Sequence, residues 1–181
     1  MKLEYLQKDF LSHEFFVMSW SGASQHNRIY RNGISEKQKV NFRCFLFEKI
    51  RKIAEKYKGK VEEDEHVKNI QGLKNSIELN YRDIINESSI SFGTCQKLVN
   101  LYLKYLWVDR QITIPPHCPI DSKILGLLGK KKISWTKVEI DEYKGIIADI
   151  KKIIPNRSIA EWELEKFEEI RIYPPNEEPL N

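Results

Sequence analysis

The sequence predicts an all-α fold: one compact domain of six to eight helices over residues 1–172, with room for two lobes and a cleft, followed by a short tail, 173–181. Three observations lead there. Apolar residues recur at spacings of three and four through most of the chain. Helix-start signals precede several of those runs. Sustained alternation of apolar and polar residues, the mark of a half-buried strand, is scarce.

The clearest start is Ser35-Glu-Lys-Gln38, a capping box in which each side chain closes a free backbone N–H. The helix it opens carries Val40, Phe42, Phe45, Leu46, Ile50, Ile53, Ala54 and Tyr57 on one broad face, and Gly59 is a fitting stop. Glu62 to Glu65 place negative charge where the next helix dipole favours it, ahead of His66, Ile70, Leu73 and Ile77. Residues 80–91 read as a connector. Gly93-Thr94 is expected to open a helix to about Trp107, with Thr94 as its cap and Leu98, Leu101, Tyr102, Tyr105 and Leu106 as its apolar stripe. Pro115, Pro116 and Pro119 exclude a helix over 108–119, and Asp121 then caps a short one to Leu128. A helix over 139–154 and a last one opened by Ser158-Ile-Ala-Glu161 complete the set. Before all of these, residues 2–18 predict a short helix, and Trp20 to Arg28 a polar loop.

Composition narrows the function. The 181 residues carry a net charge of +4, unevenly: residues 1–138 hold 24 Lys+Arg against 15 Asp+Glu, and residues 139–181 hold 6 against 11. A basic body suits a nucleic-acid partner, and two solvated faces of opposite sign would look the same. No run is apolar enough to cross a bilayer, and the opening MKLEYLQKDF lacks a signal core. Cys44, Cys95 and Cys118 show no paired spacing, which points to a reducing, cytoplasmic home. His13, His26, His66 and His117 form no close ligand pair, so no metal is expected. Phosphate-loop, dinucleotide and serine-hydrolase signatures are missing.

One segment suggests chemistry. Lys97, in the first turn of its expected helix, would have its amine pushed toward the neutral, nucleophilic form by the dipole and by burial. Asp121, after a proline-stiffened loop, would hold a carboxylate at the mouth of the next helix. The order Gly93-x-x-x-Lys97, an apolar helix, then Pro119-Ile-Asp121 resembles the helix-hairpin-helix DNA glycosylases, most closely their 8-oxoguanine branch with its divergent archaeal type. The resemblance covers residues 91–128. It implies a DNA partner and a cofactor-free glycosylase and abasic-site lyase, with Lys97 attacking the sugar C1′ and Asp121 supporting the charge that develops. It also implies phosphate contacts at Gly93, with Lys130, Lys131 and Lys132 of the basic turn after Gly129 adding others. An extruded base needs aromatic faces and hydrogen-bonding edges. Trp20, Gln25, His26 and Trp107 are the candidates, with Trp135 as another. A rival reading is a helical module that binds nucleic acid or protein without chemistry. The residues neither favour nor oppose a toxin or defence component.

Overall fold

A computed structural model describes residues 2–25, 27–86 and 90–172. His26 and the expected tail lie outside the described residues. Within them the chain forms seven α-helices and no strand. These are α1 (Lys2–Ser24), α2 (Glu36–Glu55), α3 (Glu63–Tyr81), α4 (Phe92–Val108), α5 (Ser122–Leu127), α6 (Ile140–Ile153) and α7 (Ile159–Ile172). Single 3-10 turns follow α2 (Lys56–Lys58) and precede α6 (Trp135–Lys137). One antiparallel bridge, Tyr30 to Ile85, ties the α1–α2 connection to the end of α3.

Local signals set most of the boundaries. Ser35 and Gln38 make the reciprocal capping box that starts α2. Asp121 caps α5 through the N–H groups of Lys123 and Ile124. Gly129, at φ 71°, ends α5 in a left-handed cap, with Lys130 N–H donating to Leu125 C=O at 2.7 Å. His66, Ile70, Leu73 and Ile77 are buried on α3, as their spacing predicts.

The centre of the fold is α4. It packs against α1, α2, α3 and the 135–137 turn, and every residue from Ser91 to Asn100 is buried. A helix enclosed on all sides cannot keep a polar face in water. Gln96, Lys97, Asn100 and Lys104 are therefore inside the protein with the apolar stripe.

Two expectations about backbone change here. The first helix does not stop at residue 18: α1 runs to Ser24, so Trp20 lies on a helix and not in a loop. Packing overrides the polar composition. Gly22 lets α1 approach α4 so closely that a Cβ would stand 2.9 Å from Leu101 Cδ1, and the Ser19 hydroxyl turns back to donate to Phe15 C=O. The cap of α4 is Ser91, not Thr94. The Ser91 hydroxyl accepts the Thr94 N–H at 3.0 Å and donates to Thr136 C=O at 2.5 Å.

Gly93 has a different purpose from the one the family resemblance implies. Its N–H already donates to Val138 C=O at 2.8 Å, and a Cβ would fall 2.0 Å from Trp135 O. Glycine is needed for the 135–138 backbone to lie against α4, which leaves no open face for a phosphate. Gly93→Ala should accordingly cost about 2–3 kcal/mol, since neither backbone can yield without moving the turn. Gly145, on the exposed side of α6 with nothing near its would-be Cβ, is the matched control. Gly145→Ala should gain about 0.5–1 kcal/mol and raise Tm by about 2 °C. Thermal unfolding of the two variants checks both signs.

Candidate functional site

The residues of the 91–128 segment are brought together by one side chain. Gln96 Nε2 donates to Ile120 C=O at 2.7 Å, and Gln96 Oε1 accepts Ile120 N–H at 3.0 Å. This pair of bonds fixes the crossing segment to α4 one residue before each functional candidate. Lys97 and Asp121 are therefore neighbours: Lys97 Nζ lies 3.9 Å from Asp121 Oδ2. The other carboxylate oxygen, Oδ1, accepts Lys123 N–H at 2.9 Å and Ile124 N–H at 3.2 Å, which holds the group in place.

Lys97 is 7 % exposed, and its amine sits 4.1 Å from the centre of the Trp135 ring. Burial pushes its pKa below the ordinary lysine value. Asp121 opposes that shift and the Lys123 ammonium adds to it. Because α4 starts at Phe92, Lys97 falls in the second turn. Desolvation, not the helix terminus, is what favours the neutral amine. No hydrogen bond holds this amine among the described residues; a carboxylate at 3.9 Å and a ring face are its company.

A second lysine repeats the arrangement two turns on. Lys104 Nζ donates to Glu163 Oε1 at 2.9 Å and lies 4.2 Å from the Phe167 ring centre. Both side chains of the pair are at least nine-tenths buried, and burial pushes the Glu163 carboxyl up. Sequence reasoning missed this pair. Its signal was a lysine at heptad spacing from Lys97 in an otherwise apolar helix.

Also unforeseen is a buried polar row behind the site. Tyr57 OH is hydrogen-bonded to His66 Nδ1 at 2.7 Å, and the His66 and His117 rings meet edge to face at 4.8 Å. His117 Nδ1 reaches Tyr143 OH at 3.0 Å, and Asn100 Nδ2 donates to that same hydroxyl at 3.1 Å. The four histidines form no close pair in sequence. In the fold His66 and His117 meet, and tyrosines are their partners. Cys118 beside His117 is buried with its thiol pushed well up, and burial raises the Cys95 thiol to about 12, so neither offers a thiolate.

The other candidates are not assembled around Lys97. Trp20 is half-buried, with its ring edge on Phe42 at 5.8 Å. Gln25 is exposed just past α1. Trp107 is ten residues from Lys97 on α4, about 15 Å along the axis. The tryptophan at the lysine is Trp135. Lys130 pairs with Asp149 at 3.0 Å, and Lys131 and Lys132 are exposed. Beside Asp121, a crevice of about 10 Å³ is lined by Lys123, Glu163 and Phe167 among others, room for roughly one water. A larger groove, about 720 Å³, lies between α1, α2 and the end of α4, with Tyr5, Arg51, Tyr102 and Arg110 in its walls.

Fold and site thus define a class: an all-α protein whose central helix holds an enclosed lysine against a carboxylate and an indole. Among the described residues no helix is long and apolar enough to cross a membrane. Comparison with known proteins found no matching family model, no matching curated protein and no matching solved structure.

The histidine pair carries a pH prediction. Burial holds both rings neutral, with pKa values pushed down to about 3; His117 lowers His66 further, and Lys151 lowers His117. Glu63 is the acid that faces His117, at 3.7 Å from Nε2, and it is engaged by Lys151. Unfolded histidine takes up a proton near its ordinary value of about 6.5, so the unfolded chain binds more protons below that pH. The stability these groups give is complete above about pH 6.5 and declines as pH falls toward 3, by about 1.4 kcal/mol per unit for each ring. Thermal unfolding between pH 7.5 and 4 should show this slope, and the His66→Gln/His117→Gln variant should flatten it.

Proposed function

We propose that this chain is a DNA-repair glycosylase and abasic-site lyase that works through a Schiff base on Lys97. The observation that carries the reading is the meeting of the Lys97 amine and the Asp121 carboxylate at 3.9 Å in a site that lowers the amine's proton affinity. A neutral amine adds to a sugar C1′ and an ammonium does not. In the full reaction the lone pair on Nζ forms a bond to C1′ as the bond from C1′ to a damaged purine breaks with its electron pair. The nitrogen so bonded gives one proton to the departing purine; its lone pair then expels O4′, which takes the second N–H proton, and the open sugar is left joined to Nζ by an imine at C1′. Asp121, held by two backbone N–H groups, supports positive charge on sugar and nitrogen throughout.

The placing of the aromatic rings favours the second half of that chemistry. Trp20 and Trp107, the candidates for holding an extruded base, are not at Lys97, and an abasic sugar, already an aldehyde in its open form, has no base to hold. The crevice of about 10 Å³ beside Asp121 takes about one water, so purine and sugar alike require the site to open. Lys123, Lys131 and Lys132 are exposed and suited to phosphate contacts.

The enclosure of Lys97 favours a second reading, in which the pair is a structural clamp and the exposed lysines bind nucleic acid, or the chain binds protein, with no reaction. Borohydride separates the two. Incubated with duplexes carrying an abasic site or 8-oxoguanine and then reduced, the lyase gives a covalent adduct that Lys97→Ala abolishes and Asp121→Asn lowers by about tenfold. Adduct formation should rise with pH as Lys97 loses its proton. Lys131→Ala/Lys132→Ala should weaken DNA binding and flatten its salt dependence while sparing the reaction at saturating DNA. The absence of adduct on every duplex, with DNA still bound in a salt-dependent way, would leave the binding module.

A further inference from the structure

We propose that the outer face of α1 is the surface through which two copies of this chain pair. The helix has two apolar faces. Its inner face packs on α4 and its neighbours: Phe15 stacks on Tyr105, Phe16 is buried against Phe47, and Ser12 Oγ is 2.7 Å from Tyr102 OH. Its outer face is apolar too, and its four apolar side chains are exposed; only the His13 ring on it meets another helix, edge-on to Phe47 of α2 at 5.4 Å. Leu3, Leu6, Phe10 and Val17 are 69 %, 54 %, 64 % and 45 % exposed. They stand on one side of the helix, about opposite the residues that face α4.

Their spacing identifies what fits them. Positions 3, 6, 10, 13 and 17 alternate steps of three and four, the seam of a two-helix contact, with His13 at the one polar position. Such a seam packs into another of the same period, and a second copy supplies it. The area suffices: the exposed seam presents on the order of 500 Å² of apolar surface per copy. Two copies would cover about 1,000 Å², the lower edge of a specific interface.

Charge argues against the other large apolar partner, a lipid surface. The side chains flanking the middle of the seam are Gln7, Asp9 and Glu14, none of them basic, and Asp9 is bridged to Arg51 of α2 at 3.1 Å. An interfacial helix for anionic lipid carries a basic polar face, which this one lacks.

Light scattering on the eluting full chain tests this. The mass should move from one chain to two over roughly a hundredfold rise in concentration. Leu6→Glu/Phe10→Glu should hold the mass at one chain with an unchanged helical spectrum, because both side chains face solvent in the single copy. Should that variant misfold, Leu6→Ala/Phe10→Ala should weaken pairing by about tenfold or more. A wild-type mass that stays at one chain overturns the proposal, as does a glutamate variant that still pairs. Vesicle binding by the wild-type chain, lost in the glutamate variant and with no change of mass in solution, would overturn it in favour of a membrane contact.

Discussion

The two hydrogen bonds between the Gln96 amide and the Ile120 backbone govern the geometry of this protein's centre. They join a helix enclosed on every side to a proline-rich crossing that has no regular structure of its own. A buried backbone N–H and C=O without partners would cost several kcal/mol, and here one side chain answers both. Everything adjacent follows. Asp121 arrives at Lys97 because 120 is fixed at 96, and His117 reaches Tyr143 and His66 because the crossing is held against α4. Asn100, one turn beyond Gln96, donates both to Gln96 Oε1 and to Tyr143 OH, so the clamp and the tyrosine–histidine row are one network.

Enclosing α4 also creates the problem that the site answers twice. Lys97 and Lys104 are cations inside the protein, and each has an aromatic ring on one side and a carboxylate on another. The answers differ in degree. Lys104 and Glu163 are in direct contact, with Lys104 Nζ donating to Glu163 Oε1 at 2.9 Å. Lys97 and Asp121 stand 3.9 Å apart, because Asp121 also serves the N-terminus of α5. Buried ion pairs repay their desolvation only when geometry is good. The closer pair is therefore the structural one, and the looser pair keeps an amine whose proton is weakly held. That asymmetry is the physical ground for assigning chemistry to Lys97 and not to Lys104.

Much of this was legible from local signals. The capping box at Ser35, the dipole-matched acids before α3, the proline crossing and the cap at Asp121 each depend on residues within one turn of each other, and each appears where the spacing predicts. The meeting of Lys97 with Asp121 was also readable, from two successive helices, although Lys97 falls a turn deeper than expected. What could not be read depends on distant chain. Gly93 looks like a phosphate-loop glycine until Trp135, far along the sequence, is seen to lie on it. Trp20 sits in polar, turn-forming company, yet α1 runs through it to Ser24, with Gly22 set close against Leu101 of α4. The first helix gave a mixed signal because it is apolar on two sides, and only one of them faces this chain's own core. The polar row through His66, His117 and Tyr143 joins four separate segments, so no window of sequence contains it.

The account stands on an enclosed, incompletely satisfied amine at Lys97. Its titration, followed by the ε-carbon and ζ-nitrogen resonances of labelled lysine and assigned with Lys97→Arg, is the most direct measurement. Burial should place the midpoint below that of an ordinary lysine, and Asp121→Asn should move it lower still, because the carboxylate is what draws it back up. A midpoint at or above the ordinary lysine value, unmoved by Asp121→Asn, would contradict both the enclosure and the chemistry assigned to it.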